Sequence, residues 1–135
     1  MQIQDHERNA ELYAAYKKAL LRKDVHNVRD AVEIARNMPC SQFYVSNEDA
    51  WRYVCMRESN VSDIGTSPRN EIFEMIYERY LHLKEQREFE NSSPRFIFSF
   101  AYTSQAPCFF LSFRRAYDII RQMRKHGHVK PRKIY

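Results

Sequence analysis

Arg95-Phe96-Ile97-Phe98-Ser99-Phe100-Ala101-Tyr102 is the stretch on which the fold class turns. Phe96, Phe98, Phe100 and Tyr102 alternate with Arg95, Ile97, Ser99 and Ala101, the period of two that describes a half-buried strand. A shift of 66 residues gives another answer. Val32, Ile34 and Ala35 fall on Phe98, Phe100 and Ala101, and the stretch around them, 28–38, has helical spacing. The register runs on without a gap. Phe43-Tyr44-Val45-Ser46-Asn47-Glu48-Asp49-Ala50-Trp51 falls on Phe109-Phe110-Leu111-Ser112-Phe113-Arg114-Arg115-Ala116-Tyr117, and Val54 on Ile120. A lone strand has nothing to pair with here, and Ser92 or Ser93 before Pro94 is a helix-start signal. The repeat therefore predicts helix over 95–102.

The rest of the chain agrees with helices. Only two of the 135 residues are glycine, which tight hairpins need, and Ala, Leu, Glu, Lys, Arg and Met are common. Hydrophobic residues make up 44% and aromatics 14%, enough for a packed core in one domain or two very small ones. Apolar residues Leu12, Ala15, Tyr16, Ala19 and Leu20 predict a helix over 8–22, after a frayed 1–7. Asp24 or Asn27 can cap a second helix with Val28, Ala31, Val32, Ala35 and Met38 inward, ended by Pro39. Ser46 caps a third, with Ala50, Trp51, Val54 and Cys55 on its buried side, and Trp51 and Tyr117 are expected at equivalent buried positions. After a linker over 59–68, Ser67 and Pro68 start a helix over 68–87 with Ile72, Met75, Ile76, Tyr80 and Leu83 inward. It matches the first helix at an offset of 61, as in Tyr16 and Tyr77. The last helix spans 112–126, capped by Ser112 and stopped by Gly127, with Ala116, Ile119, Ile120 and Met123 inward. The expected fold is all-α: two tandem three-helix, helix-turn-helix-like units, 8–58 and 67–127, packed together and followed by a basic tail, 128–135. Two copies make a duplication rather than a solenoid.

Charge is unevenly placed. Eight Lys or Arg and a single acid, Asp118, give 112–135 a net +7, while the remaining 111 residues carry −2. Such asymmetry points to a polyanion partner, against the plainer reading of a solubilising tail. Three cysteines, Cys40, Cys55 and Cys108, have no paired spacing, which predicts free thiols and a reducing, cytoplasmic compartment. The first residues form no apolar leader, and no apolar run reaches membrane-spanning length.

Catalysis is not expected. The histidines at 6, 26, 82, 126 and 128 form no i,i+4 pair and no Cys-x-x-Cys accompanies them, so no metal and no cofactor is predicted. Cys40 and Cys108 sit in Pro-Cys connectors without a named base, so each reads as a small hydrophobe.

Helix, turn and helix is also the layout of a DNA-binding module. Ile34-Ala35-Arg36-Asn37-Met38-Pro39-Cys40-Ser41-Gln42-Phe43-Tyr44-Val45-Ser46 resembles the helix-turn-helix of lac-repressor-type proteins: an alanine, a turn residue four later, a serine two after that, then Val-Ser. It departs at Pro39, where that family has glycine, which leaves Ser41 or Ser46 as the start of a recognition helix. The Phe-Tyr-Val-Ser phrase resembles small proteins of bacterial mobile elements. The helix-turn-helix resemblance, not the mobile-element one, implies a small DNA-binding, regulatory protein. Arg114, Arg115, Arg121, Arg124 and Lys125 of the final helix, with Lys130, Arg132 and Lys133 of the tail, are the candidate contacts. The first copy has Glu48, Asp49, Arg52 and Glu58 in the matching helix, whose three acids would repel phosphate. Phe109, Phe110 and Phe113 read as core rather than as base-stacking platforms. The rival reading is a protein–protein adaptor or structural component of a phage or mobile element, its basic end meeting an acidic protein.

Overall fold

Four helices open on a short polar side chain that takes up an otherwise orphaned amide. Asn27 Oδ1 accepts from the Asp30 N–H at 2.8 Å, Ser46 Oγ from Asp49 at 3.2 Å, Ser93 Oγ from Phe96 at 3.3 Å and Ser112 Oγ from Arg115 at 3.1 Å. Of the alternatives open in the sequence, Asn27 and Ser93 are therefore the caps. The computed structural model describes residues 3–60, 65 and 69–127. Its helices are α1 (Ile3–Leu20), α2 (Val28–Arg36), α3 (Asn47–Glu58), α4 (Asn70–Lys84), α5 (Pro94–Tyr102) and α6 (Phe113–Gly127), with one 3-10 turn at Arg87–Phe89. No strand occurs among the described residues, and the chain is all-α. Ser67 and Pro68 lie outside the described residues, as does the tail 128–135.

The ambiguous stretch is helix α5. Ile97, Phe98 and Ala101 are buried, the spacing of one helical face, while Phe96 and Phe100 are 52% and 47% exposed. The strand-like alternation comes from two phenylalanines that the core does not use. Two pairs of helices keep the sequence register: α2 and α5 begin 66 positions apart, and so do α3 and α6, whereas α1 and α4 begin 67 apart rather than 61.

The helices group otherwise than in tandem. One compact unit joins Met1–Cys40 to Ala106–Tyr135, and the other is Ser41–Gln105. In the first, α6 packs on α1 and α2; in the second, α3 packs with α4 and α5. Each helix pair is completed by the third helix of the other sequence copy, so the units differ from the contiguous stretches 8–58 and 67–127.

Both units fasten the chain where it passes between them. In the first, Cys40 and Ala106 form an antiparallel bridge, each N–H donating to the other's carbonyl at 3.0 Å. These two residues are themselves equivalent under the 66-residue offset. In the second, the Tyr102 hydroxyl donates to the Val45 carbonyl at 2.6 Å. Arg79 donates to Ser104 Oγ at 2.7 Å and to the Gln105 carbonyl, and its guanidinium lies over the Phe43 ring at 4.9 Å.

The core of the first unit is Leu12, Ala15, Tyr16 and Ala19 of α1, Ala31, Val32 and Ala35 of α2, and Ala116, Ile119 and Ile120 of α6. That of the second is Ala50, Tyr53 and Val54 of α3, Phe73, Ile76, Tyr77 and Tyr80 of α4, and Ile97, Phe98 and Ala101 of α5. Several sequence expectations are corrected. Helix α1 begins at Ile3 rather than at residue 8; Asp5 sits in its first turn, where an acid suits the helix dipole, and pairs with Arg8 at 3.4 Å one turn on. Helix α4 stops at Lys84, short of 87. Leu20 and Cys55 are exposed, because the buried stripes run through Ala19 and through Tyr53 instead. Ile72, Met75, Leu83 and Met123 are half-buried flanks of their stripes. Trp51 and Tyr117 are equivalent but only half-buried; Trp51 leans on Phe98 at 5.1 Å.

Phe98 is fully enclosed, so Phe98→Ala is expected to cost about 3–5 kcal/mol, whereas Trp51→Ala should cost less. Urea titration of the two variants compares them; an equal or larger loss at Trp51 would contradict the packing described.

Candidate nucleic-acid interface

The path into α6 fixes which face of that helix meets solvent. The buried Phe109 donates its N–H to the Arg36 carbonyl at 3.2 Å. Phe110 then takes left-handed backbone, φ 55°, a conformation costing a bulky residue about 1–2 kcal/mol. Arg36 Nη1 donates to the Leu111 carbonyl at 3.0 Å, and Ser112 caps the helix. Glu33 holds the Arg36 guanidinium with bonds of 2.8 and 2.6 Å, and this hydrogen bonding keeps the Glu33 carboxyl below its ordinary range.

With Ala116, Ile119 and Ile120 inward, Arg114, Arg115, Arg121, Arg124 and Lys125 are all exposed. Arg114, its side chain 86% exposed, reaches Asp118 at 3.4 Å. Arg115, Arg121, Arg124 and Lys125 form no ion pair with a described residue. Lys130, Arg132 and Lys133 lie outside the described residues. Five candidate contacts are thus gathered on the outward side of one helix.

In the second unit three acids are tied to basic side chains. Glu74 accepts from Arg57 Nη2 at 2.7 Å and Nε at 2.9 Å, and from the Tyr53 hydroxyl. Lys84 reaches Glu58 at 2.9 Å, and Arg52 reaches Asp49 at 3.4 Å. The grouping of helices sharpens the contrast. The first unit's sequence carries 15 Lys or Arg against seven acids, the second's seven against ten. Sequence reasoning assigned Lys17, Lys18, Lys23 and Arg29 to the other half of the duplication; they are exposed members of the unit that holds α6. No periodicity could have shown this, because the grouping is set by which third helix packs where.

Two further surface features stand out. Phe100 meets Phe89 at 5.3 Å and Phe96 at 5.1 Å, edge to face, forming an exposed aromatic cluster on the second unit. In the first unit, Phe113 is half-buried rather than core and stacks on Tyr117. Cys40 is buried and its thiol donates to the Cys108 carbonyl at 3.2 Å, while Cys55 is exposed. Among the described residues no cluster of three His, Cys, Asp or Glu could hold a metal ion, and no helix is long and apolar enough to cross a membrane.

No family model matches the chain, and neither does a curated protein or a solved structure.

The paired charges make the second unit's stability pH-dependent. The hydrogen bonds from Arg57 and Lys84 hold the Glu74 and Glu58 carboxyls below their ordinary 4.5. Their contribution is fully present above that pH and is lost as pH falls beneath it. Burial, then the Glu74 hydrogen bond, pushes the Tyr53 hydroxyl up to about 12, so its contribution is present below pH 10 and fades as pH rises through 12. Trp51, the sole tryptophan, reports on this unit. Its fluorescence melts should be highest between about pH 5 and 10, and Glu74→Gln should flatten the acid limb. An unchanged acid limb in that variant would contradict the assignment.

Proposed function

We propose that the chain is a small DNA-binding, regulatory protein that contacts phosphate through the outward face of α6. The observation that carries this reading is the row of exposed arginines and lysine on one helix with a single acid among them. Arg and Lys presented on a helix face suit phosphate and guanine contacts. The stretch that resembles lac-repressor-type modules, 34–46, runs from α2 of the first unit into the second unit, so the proposal rests on α6 rather than on that stretch. The acid-rich sequence of the second unit suits a supporting role. No catalytic step is part of the proposal.

Binding of this kind is dominated by counterion release. Affinity measured by gel shift or anisotropy should therefore fall steeply and log-linearly with salt. Replacing Arg114, Arg121 and Lys125 together by Glu moves the face by six charges and leaves the buried stripe untouched. That variant should keep the wild-type circular dichroism and lose DNA binding. Undiminished binding by the folded variant would remove α6 as the contact element.

The aromatic cluster of Phe89, Phe96 and Phe100 favours a second reading, a protein–protein adaptor. Phe96→Ser with Phe100→Ser leaves the fold's buried residues in place. An adaptor would lose its partner in that variant, while a DNA binder would be unaffected.

A further inference from the structure

At its N-terminal end the basic helix borders an open groove. Val28 and Arg29 of α2, with the cap Asn27, line one side; Phe113, Arg114 and Tyr117 of α6 line the other. The Phe113 and Tyr117 rings stack with centroids 6.0 Å apart and planes 14° apart. The Arg29 guanidinium lies over Phe113 at 5.2 Å. Both rings are half-buried, so each keeps surface accessible to a ligand.

The duplication supplies an internal comparison. The 66-residue offset puts Arg95 in the place of Arg29, Asn47 in that of Phe113, Glu48 in that of Arg114 and Trp51 in that of Tyr117. In the second unit this arginine is locked: Arg95 Nη2 donates to Asn47 Oδ1 at 2.9 Å, and its guanidinium lies over Trp51 at 4.9 Å and Phe98 at 5.5 Å. In the first unit a phenyl ring replaces the amide and offers no oxygen to accept a hydrogen bond. No hydrogen bond or ion pair joins Arg29 to another described side chain, and the acid one turn on, Glu33, is engaged by Arg36. Arg114 stands where the locked copy has Glu48. One copy of the position is a structural tie; the other is cationic, stacked and open.

We infer that this groove binds an unpaired base of single-stranded DNA. The base stacks against the Phe113 and Tyr117 rings and the Arg29 guanidinium, and Arg114 meets the adjoining phosphate. Every base has a π-face that aromatic rings and guanidinium planes accept without regard to sequence. A base inside a duplex has both faces covered, so the groove selects strands whose bases are free. The inference rests on the proposed α6 interface and narrows its ligand from DNA to DNA with unpaired bases.

The test is anisotropy of the full chain with a labelled oligothymidylate and with a duplex of the same length. Wild type is expected to bind the single strand more tightly. Phe113→Leu keeps an apolar side chain against α2 while removing the ring. It should weaken single-strand binding about fivefold or more and leave duplex binding unchanged. Ultraviolet crosslinking of the oligothymidylate should mark Phe113 or Tyr117 in the wild-type protein, which localises the base without any variant. Phe113→Leu binding the single strand like wild type, with no crosslink at either ring, overturns the groove; if the Arg114, Arg121 and Lys125 to Glu variant has meanwhile lost both ligands, the α6 interface stands without it. A wild-type chain that binds neither strand nor duplex overturns both.

Discussion

The backbone pair of Cys40 and Ala106 is the constraint on which the rest depends. It joins the point where the chain leaves the first unit to the point where it returns, across all of Ser41–Gln105. Closing a loop of that length costs about 4 kcal/mol of chain entropy. Two hydrogen bonds alone would not offset it. The second unit helps by folding, since Tyr102 on Val45 and Arg79 on Ser104 and Gln105 draw its own ends together. With the ends fixed, α6 is delivered to α1 and α2, and Phe109, Phe110 and Leu111 set its rotation against α2.

That delivery has an electrostatic consequence. The helix richest in unpaired cations joins the unit that carries Lys17, Lys18, Lys23 and Arg29. Its counterpart α3, with Glu48 and Asp49, joins the acid-rich unit, in which Glu74, Glu58 and Asp49 are tied to Arg57, Lys84 and Arg52. Exchange of third helices thus separates charge that the sequence copies would have mixed. It also brings Phe113 and Tyr117 beside Arg29, which lies far from both in the chain.

Much of this was legible in the residues. The offset of 66 gave the helices, the Ser46 and Ser112 caps, and the helical identity of Phe96 to Tyr102 against its own alternation. The outward placement of Arg114, Arg121 and Lys125 followed from Ala116 and Ile120 facing in. The exchange was not legible, for a physical reason. Ala50, Tyr53 and Val54 of α3 and Ala116, Ile119 and Ile120 of α6 occupy equivalent positions, so either helix presents a fitting stripe to either pair. Hydrophobic pattern cannot choose between two nearly identical partners; connector geometry does. The groove was missed with it, since Phe113 reads as core until Arg29 is placed beside it. Trp51 reads as buried from its place on the stripe of α3, but it is half-buried, with Phe98 against it and the Arg95 guanidinium over its ring at 4.9 Å.

The central claim is that third helices are exchanged between the two sequence copies. Native-state hydrogen exchange on the full chain tests it, with the second unit weakened by Phe98→Ala. The account predicts that the amides of α3 lose protection together with those of α4 and α5, while α6 keeps the protection of α1 and α2. Loss of protection in α6 alongside α4 and α5, with α3 retained beside α1 and α2, would contradict it.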